Sequence, residues 1–229
     1  MKDIEKAAGF LNLFSDNVSA GMDVEPVTWI RENVVDQQSA RSSHIDFTLS
    51  PFLLDPIDKF LNDGTVKHIN LMAPTGSGKS TLFVGLLNYL IANDAGNTLV
   101  AFQNEQETSD FAETRLFPTF RDNKALKDLL PKKRHAARKT EILFPHMNLW
   151  MVSATKGQLQ SKSCRYLIGD EMWAWEKGMV REFLARHHDR FNRKILMVSQ
   201  GGDKGTDWVD EYGKGRICLL YTSPSPRDA

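Results

Sequence analysis

The chain has 229 residues, with 29 Lys+Arg against 29 Asp+Glu, 41% hydrophobic and 25% charged residues, a balance that excludes a disordered, collagen-like or coiled-coil protein. A chain of this length can bury a sizeable core without metals or staples, and two cysteines, Cys164 and Cys218, cannot build a disulfide framework. With no apolar h-region at the start and no apolar stretch long enough to span a bilayer, the expectation is a soluble protein of a reducing compartment that does not enter membranes.

Residues 1–47 mix short amphipathic and polar stretches, with Gln37 to Ser43 (QQSARSS) as a linker candidate. Ser50-Pro51 opens a helical pattern in which Phe52, Leu53, Ile57, Phe60 and Leu61 recur at helical spacing until Gly64. Strands and helices then alternate. Strands are predicted at Val66 to Met72, Thr98 to Gln103, Glu141 to Phe144, Leu149 to Ser153, Arg165 to Gly169 and Lys194 to Ser199, and helices at Lys79 to Asn93, Glu107 to Leu116, Lys124 to Leu130 and Lys177 to Phe191. Short apolar runs between helical periods predict an α/β fold, a mostly parallel sheet with helices on both faces. The turn Pro145 to Asn148 predicts a hairpin inserted in that scheme.

The zero net charge hides an asymmetry. Residues 1–64 hold 5 Lys+Arg and 11 Asp+Glu, and the remainder hold 24 and 18. The positive excess gathers at Lys132, Lys133, Arg134, Arg138 and Lys139, and at Arg181, Arg186, Arg190, Arg193 and Lys194. Either run could meet a polyanion or simply form a solvated face.

The strand VKHINLM runs directly into Ala73-Pro-Thr-Gly-Ser-Gly-Lys-Ser80 and then into the apolar helix TLFVGLLNYLIA. This is the Walker A pattern with Ala for the first Gly. Pro74, Thr75, Gly76, Ser77, Gly78, Lys79, Ser80 and Thr81 are the candidate nucleotide-binding residues. Gly76 and Gly78 let backbone N–H groups turn inward around phosphate oxygens, and the helix start adds its positive end. Lys79 places a mobile charge at the β and γ phosphates, and the Ser80 hydroxyl is a Mg²⁺ ligand. About ninety residues on, Tyr166-Leu-Ile-Gly-Asp-Glu171 is a strand ending in two acids. Asp170 is the second candidate metal residue. Glu171 is a candidate general base for the attacking water, the feature of an ATP-hydrolysing P-loop NTPase of the additional-strand, catalytic-glutamate type. In such sheets the strand ending in Ser199-Gln200-Gly201-Gly202 lies between the two Walker strands, so Ser199 and Gln200 are candidates for sensing the γ phosphate and coupling it to movement; a plain turn explains the same four residues.

Other signals are weaker. Arg186-His187-His188-Asp189 lies on a helix whose stripe is Met179, Val180, Phe183, Leu184 and Phe191, so its histidines diverge rather than gather a metal. Trp173 and Trp175 could contact DNA, contact a neighbouring subunit or pack the loop after the acids. Asn17-Val-Ser19 is a glycosylation sequon by pattern alone.

Taken in order, several blocks make this chain similar to the ATPase domain of phage large terminase subunits of the lambda-type, GpA-like branch: Phe47-Thr-Leu-Ser-Pro-Phe52 with Pro56-Ile-Asp58, MAPTGSGKS, Leu99-Val-Ala-Phe-Gln103 leading through Phe111, Arg115 and Pro118, Leu159-Gln-Ser-Lys-Ser163 and SQGG. The resemblance implies an ATPase that uses ATP and Mg²⁺ to drive double-stranded DNA into procapsids, working as a homo-oligomeric ring with a portal and a small terminase subunit, in the cytoplasm of an infected bacterial host. Lys79 and Ser80 then match the nucleotide and metal ligands, Asp170 and Glu171 the Walker B pair, and Ser199-Gln200 the coupling position. Lys132, Lys133 and Arg134 become candidate DNA contacts. Leu53 stands where the family often carries an adenine-contacting Gln, and Arg115 and Arg165 are both candidates for the arginine that completes catalysis. Two alternatives stay open, a DNA-dependent ATPase or helicase motor domain and a catalytically inactive nucleotide- and DNA-binding fragment.

The expected organisation is a helical or linker region over 1–47 and a P-loop ATPase domain over 48–217. The resemblance implies a nuclease domain beyond this domain, which is expected to be C-terminally truncated before it, so no DNA cleavage is expected of this fragment. Cys218 to Asp228, CLLYTSPSPRD, resembles the translation of a sequencing adapter, so residues 218–229 are set aside as non-native. The class's strand order, 5-1-4-3-2, then predicts that the last core strand is missing and that Val66 to Met72 forms an uncovered edge.

Overall fold

A computed structural model describes residues 25–36, 44–48, 50–131, 137–187 and 191–214. The Asn17 sequon, the 37–43 linker candidate, the DNA-contact candidates Lys132, Lys133 and Arg134, His188-Asp189 and the 218–229 segment lie outside these residues.

Seven strands form one sheet. They are β1 (His68–Met72), β2 (Thr98–Phe102), β3 (Ala137–Arg138), β4 (Glu141–Leu143), β5 (Asn148–Ser153), β6 (Tyr166–Asp170) and β7 (Lys194–Ser199), in the order β1-β7-β6-β2-β5-β4-β3. The five longer strands pair in parallel with one another, and β3, β4 and β5 are joined by antiparallel pairing. Thus β7 sits between the strand entering the glycine-rich loop and the strand ending in Asp170-Glu171, as the pattern predicted.

Side chains along the strands alternate between two apolar clusters, as the pleat requires. Ile69, Leu71, Val100, Phe102, Tyr166, Ile168, Leu196 and Val198 point to one cluster, and Leu99, Ala101, Leu167, Ile195 and Met197 to the other. Burial on both faces is why these strands read as continuous apolar runs.

The first face carries α1 (Pro26–Asn33), α2 (Leu54–Leu61, after a 3-10 turn at Pro51–Leu53), α3 (Lys79–Asn93), α4 (Glu105–Phe111) and α5 (Phe117–Asp122), the last two joined by a π-helical turn at Ala112–Leu116. α3 is apolar on nearly every side because it is buried on nearly every side. Leu82, Phe83, Val84, Leu86, Leu87 and Leu90 are fully enclosed. Its one buried amide, Asn88, is satisfied by donating to the Val84 carbonyl and accepting from Asn123. Trp29, Ile30, Val34, Ile45 and Phe47 belong to the same cluster.

The opposite face carries α6 (Lys156–Leu159), α7 (Met179–Leu184, continued by a 3-10 turn at Ala185–His187) and α8 (Asp207–Gly213). Trp208 on α8 is fully buried there, and the Asn70 side chain of β1 donates to the Glu211 carbonyl at 3.0 Å. The stretch from Asp207 is therefore a helix lying against the sheet rather than a further strand. Among the described residues β1 pairs only with β7.

Four expectations change. Lys124 to Leu130 forms turns, not a helix, because the Asn123 carboxamide accepts from Ala125 N and its carbonyl from Leu126 N, closing a turn that competes with helix initiation. The helix of Glu107 to Leu116 is longer and broken by the π turn. Among the described residues the Lys177 to Phe191 helix covers Met179–Leu184 and its 3-10 extension, and Phe191 is 85% exposed instead of buried. Lys194 is not a free surface cation, since its ammonium is buried and donates to the Asp63 and Val66 carbonyls.

Candidate active site

The loop after β1 turns because two glycines occupy the left-handed region, Gly76 at φ 78° and Gly78 at φ 87°. At Gly78 space matters as well as torsion, since a Cβ there would come within 3.2 Å of Leu53 and 3.3 Å of the Ser50 hydroxyl. Leu53 itself is buried in the core and offers a nucleobase no polar contact. Ala73 N donates to the Ser199 carbonyl at 2.9 Å, which clamps the head of the loop to the end of β7.

Lys79 begins α3, and its ammonium donates to the carbonyls of Ala73 and Pro74 at 3.2 and 3.3 Å. It also stands 3.1 Å from Oε1 of Glu171, with only 7% of its side chain exposed. The loop is thus curled around the lysine, and the lysine faces the acid at the end of β6. Oγ of Ser77 is buried with no hydrogen-bond partner among the described residues.

Thr75, Gly76, Gly78, Lys79, Ser80 and Thr81 line a cleft of about 500 Å³ together with Glu171, Arg115 and Asp36. Of the sequence candidates, Pro74 contributes its carbonyl to Lys79, and Asp170 sits behind Glu171 rather than on the cleft wall. Asp170 accepts from the Glu171 amide at 3.0 Å, and its pKa is pushed up to about 7, first by burial and then by the neighbouring Glu171 carboxylate, against the pull of Lys79. Such a carboxylate is short of positive charge. A carboxylate and the Ser80 hydroxyl are hard oxygen donors of the kind Mg²⁺ takes, so these residue types fit such an ion. No cluster of three or more His, Cys, Asp or Glu suited to a metal occurs among the described residues.

Glu171 adopts φ 47° and ψ 47°, a left-handed conformation unusual for a glutamate. Its Oε2 accepts from the Trp173 indole N–H at 2.9 Å. Trp175 is buried, donating to the Asp170 carbonyl, so its role is packing. Ser199 is fully buried, and its hydroxyl accepts from Trp173 N at 3.0 Å. Gln200 Oε1 accepts from the Thr75 hydroxyl at 3.2 Å. The two coupling candidates therefore touch the acid-bearing loop and the glycine-rich loop respectively.

The structure separates the two candidate arginines. Arg115, on the π turn, lines the cleft. Arg165 makes a bidentate pair with Asp94 at 2.7 and 3.0 Å and stacks over Tyr166 with its guanidinium 4.7 Å from the ring centroid, at the end of β6 away from Glu171. Its role is to hold the end of α3 to the sheet. Asp36 was not found from sequence. It is buried beside the cleft and accepts from the Thr81 hydroxyl at 3.0 Å, and no motif announces it because it lies far from the glycine-rich loop along the chain.

Among curated protein sequences, none matches this chain. The fold is similar to the large terminase of bacteriophage HK97, with a TM-score of 0.68 at 15% identity, over 82% of this chain and 40% of that one. It is also similar to a mutant ATPase domain of the large terminase of Thermus phage P74-26, at TM-score 0.53, 12% identity and 76% of both chains. A third likeness is to the UvsW helicase of bacteriophage T4, at TM-score 0.55, 12% identity, 91% of this chain and 74% of that one. The present chain spans well under half of the HK97 protein. Residues 39–215, most of the sequence, match the family described as phage terminase large subunit gpA, ATPase domain. The chain belongs to that family.

Proposed function

We propose that this chain binds ATP with Mg²⁺ in the cleft between the glycine-rich loop and the end of β6, hydrolyses it, and uses the hydrolysis to drive double-stranded DNA into a procapsid. The observation that carries this reading is the meeting of Lys79 and Glu171 at 3.1 Å in a cleft that also holds Arg115. The loop's N–H groups and Lys79 hold the phosphates, which draws the ammonium from Glu171. The freed carboxylate accepts a proton from the attacking water while Arg115 offsets charge growing on the γ phosphoryl oxygens. Ser80 and Asp170 would hold Mg²⁺, which would offset negative charge on the phosphates.

Residues 48–217 are read as the motor domain, with 1–47 as its N-terminal region. In the working particle the partners are double-stranded DNA, other copies of the chain in a ring, the portal of the procapsid and a small terminase subunit, in the cytoplasm of the infected host. The test is steady-state phosphate release with and without double-stranded DNA, beside a Lys79→Ala control. Turnover that rises with DNA and vanishes in the control supports the reading. Turnover untouched by Lys79→Ala removes it.

A further inference from the structure

The Glu171 carboxylate is held from two sides. Lys79 takes Oε1 at 3.1 Å, and the Trp173 indole N–H donates to Oε2 at 2.9 Å. Phosphates bound on the glycine-rich loop would compete with Glu171 for the Lys79 ammonium, whereas Trp173 does not line the cleft that would hold them. Trp173 is itself anchored. Its amide donates to the fully buried Ser199 hydroxyl at 3.0 Å, and the Ser199 carbonyl accepts from Ala73 N at the head of the glycine-rich loop at 2.9 Å. A Cβ at Gly202 would stand 3.3 Å from the Trp173 Cβ, so the two chain segments approach closely there.

We infer that Trp173 is a positioning residue for hydrolysis: its indole N–H sets the orientation of the Glu171 carboxylate, and its amide bond to Ser199 ties that orientation to the end of β7. The inference rests on the reading of Glu171 as the base. A glutamate has three side-chain torsions and here hangs from a left-handed backbone, so without a fixed donor its carboxylate would spread over several rotamers once Lys79 leaves. The donor turns a floppy base into an aimed one, the kind of support that positions a reacting group. The chain of contacts also gives Ser199 a physical part in coupling, because a displacement of the β7 end shifts the Trp173 amide and with it the indole. Trp173 is 41% exposed, so its ring is not what keeps the core together.

The experiment uses this chain with ATP and Mg²⁺. Trp173→Phe keeps an aromatic ring and removes the donor, Trp173→His restores an N–H, and Ser199→Ala removes the amide anchor. The expected result is a kcat lowered by about tenfold in Trp173→Phe with KM for ATP within about twofold, partial recovery in Trp173→His, and an intermediate loss in Ser199→Ala. Tryptophan emission supplies a readout independent of turnover. Adding Mg²⁺ and ATP should change wild-type emission, the change should disappear in Trp173→Phe, and it should be altered in Glu171→Gln. An unchanged kcat in Trp173→Phe, or an emission change that persists without Trp173, overturns the inference. If wild-type hydrolysis does not depend on Glu171, the reading of that residue as the base fails instead, and the emission comparison still decides whether Trp173 senses the carboxylate.

Discussion

The ammonium of Lys79 lies 3.1 Å from the Glu171 carboxylate, so the residue proposed to bind phosphate and the residue proposed to activate water are paired to each other. The lysine is 7% exposed, and its remaining contacts are backbone carbonyls. Lys79→Ala therefore removes both the proposed phosphate ligand and the partner of Glu171. ATP affinity should fall by about 100-fold or more, the loss of one or two hydrogen bonds to a charged group. Equilibrium dialysis with ATP and Mg²⁺ checks it, and binding within about threefold of wild type would contradict it.

The two arginines should separate cleanly. Arg115→Ala should cut the hydrolysis rate by about tenfold or more while leaving the urea midpoint near that of wild type, since Arg115 faces the cleft. Arg165→Ala should do the reverse. Its bidentate pair with Asp94 is partly exposed and therefore screened, so the expected loss of stability is about 1–2 kcal/mol, with hydrolysis at saturating ATP nearly intact.

Burial holds the His68 imidazole on β1 below its ordinary value of 6.5, an effect that the α8 carboxylate of Glu211 and the Asn70 hydrogen bond oppose and that Lys214 reinforces. The folded protein thus disfavours the protonated ring. As pH falls below 6.5 the unfolded chain takes up a proton that the folded one resists, so stability is lost on acidification through that window. Melting temperatures of wild type and His68→Leu at about pH 7.5 and about pH 5.5 test this. The drop between the two should be smaller in the variant, and an equal drop would remove His68 as a source.

Replacing Lys132, Lys133 and Arg134 together by Ala should weaken DNA-stimulated ATP turnover far more than basal turnover, with a shallower dependence on salt. Equal losses in both would take that basic run out of the DNA path.

Much of the fold was legible because β2, β6 and β7 are buried on both faces and read as short apolar runs, and because Gly76 and Gly78 punctuate the passage from β1 into α3. The cleft-lining residues of the glycine-rich loop were legible because they are contiguous along the chain. Lys124 to Leu130 misled because Leu126, Leu129 and Leu130 have helical spacing while Asn123 closes a turn in front of them. Arg115 and Arg165 looked alike in sequence, and only the placement of the π turn and of Asp94 distinguishes them. Asp36 and the Trp173–Glu171 bond depend on contacts between chain segments or on a rotamer, neither of which periodicity encodes.

The most direct test is a single-turnover experiment with enzyme in excess over ATP and Mg²⁺, comparing wild type with Glu171→Gln. The substitution keeps shape and removes the proton acceptor, so ATP should still bind while its hydrolysis slows by about 10²-fold to 10⁴-fold. Hydrolysis by Glu171→Gln within about twofold of wild type would contradict the assignment of Glu171 as the base and, with it, the account of this cleft as the site of ATP hydrolysis.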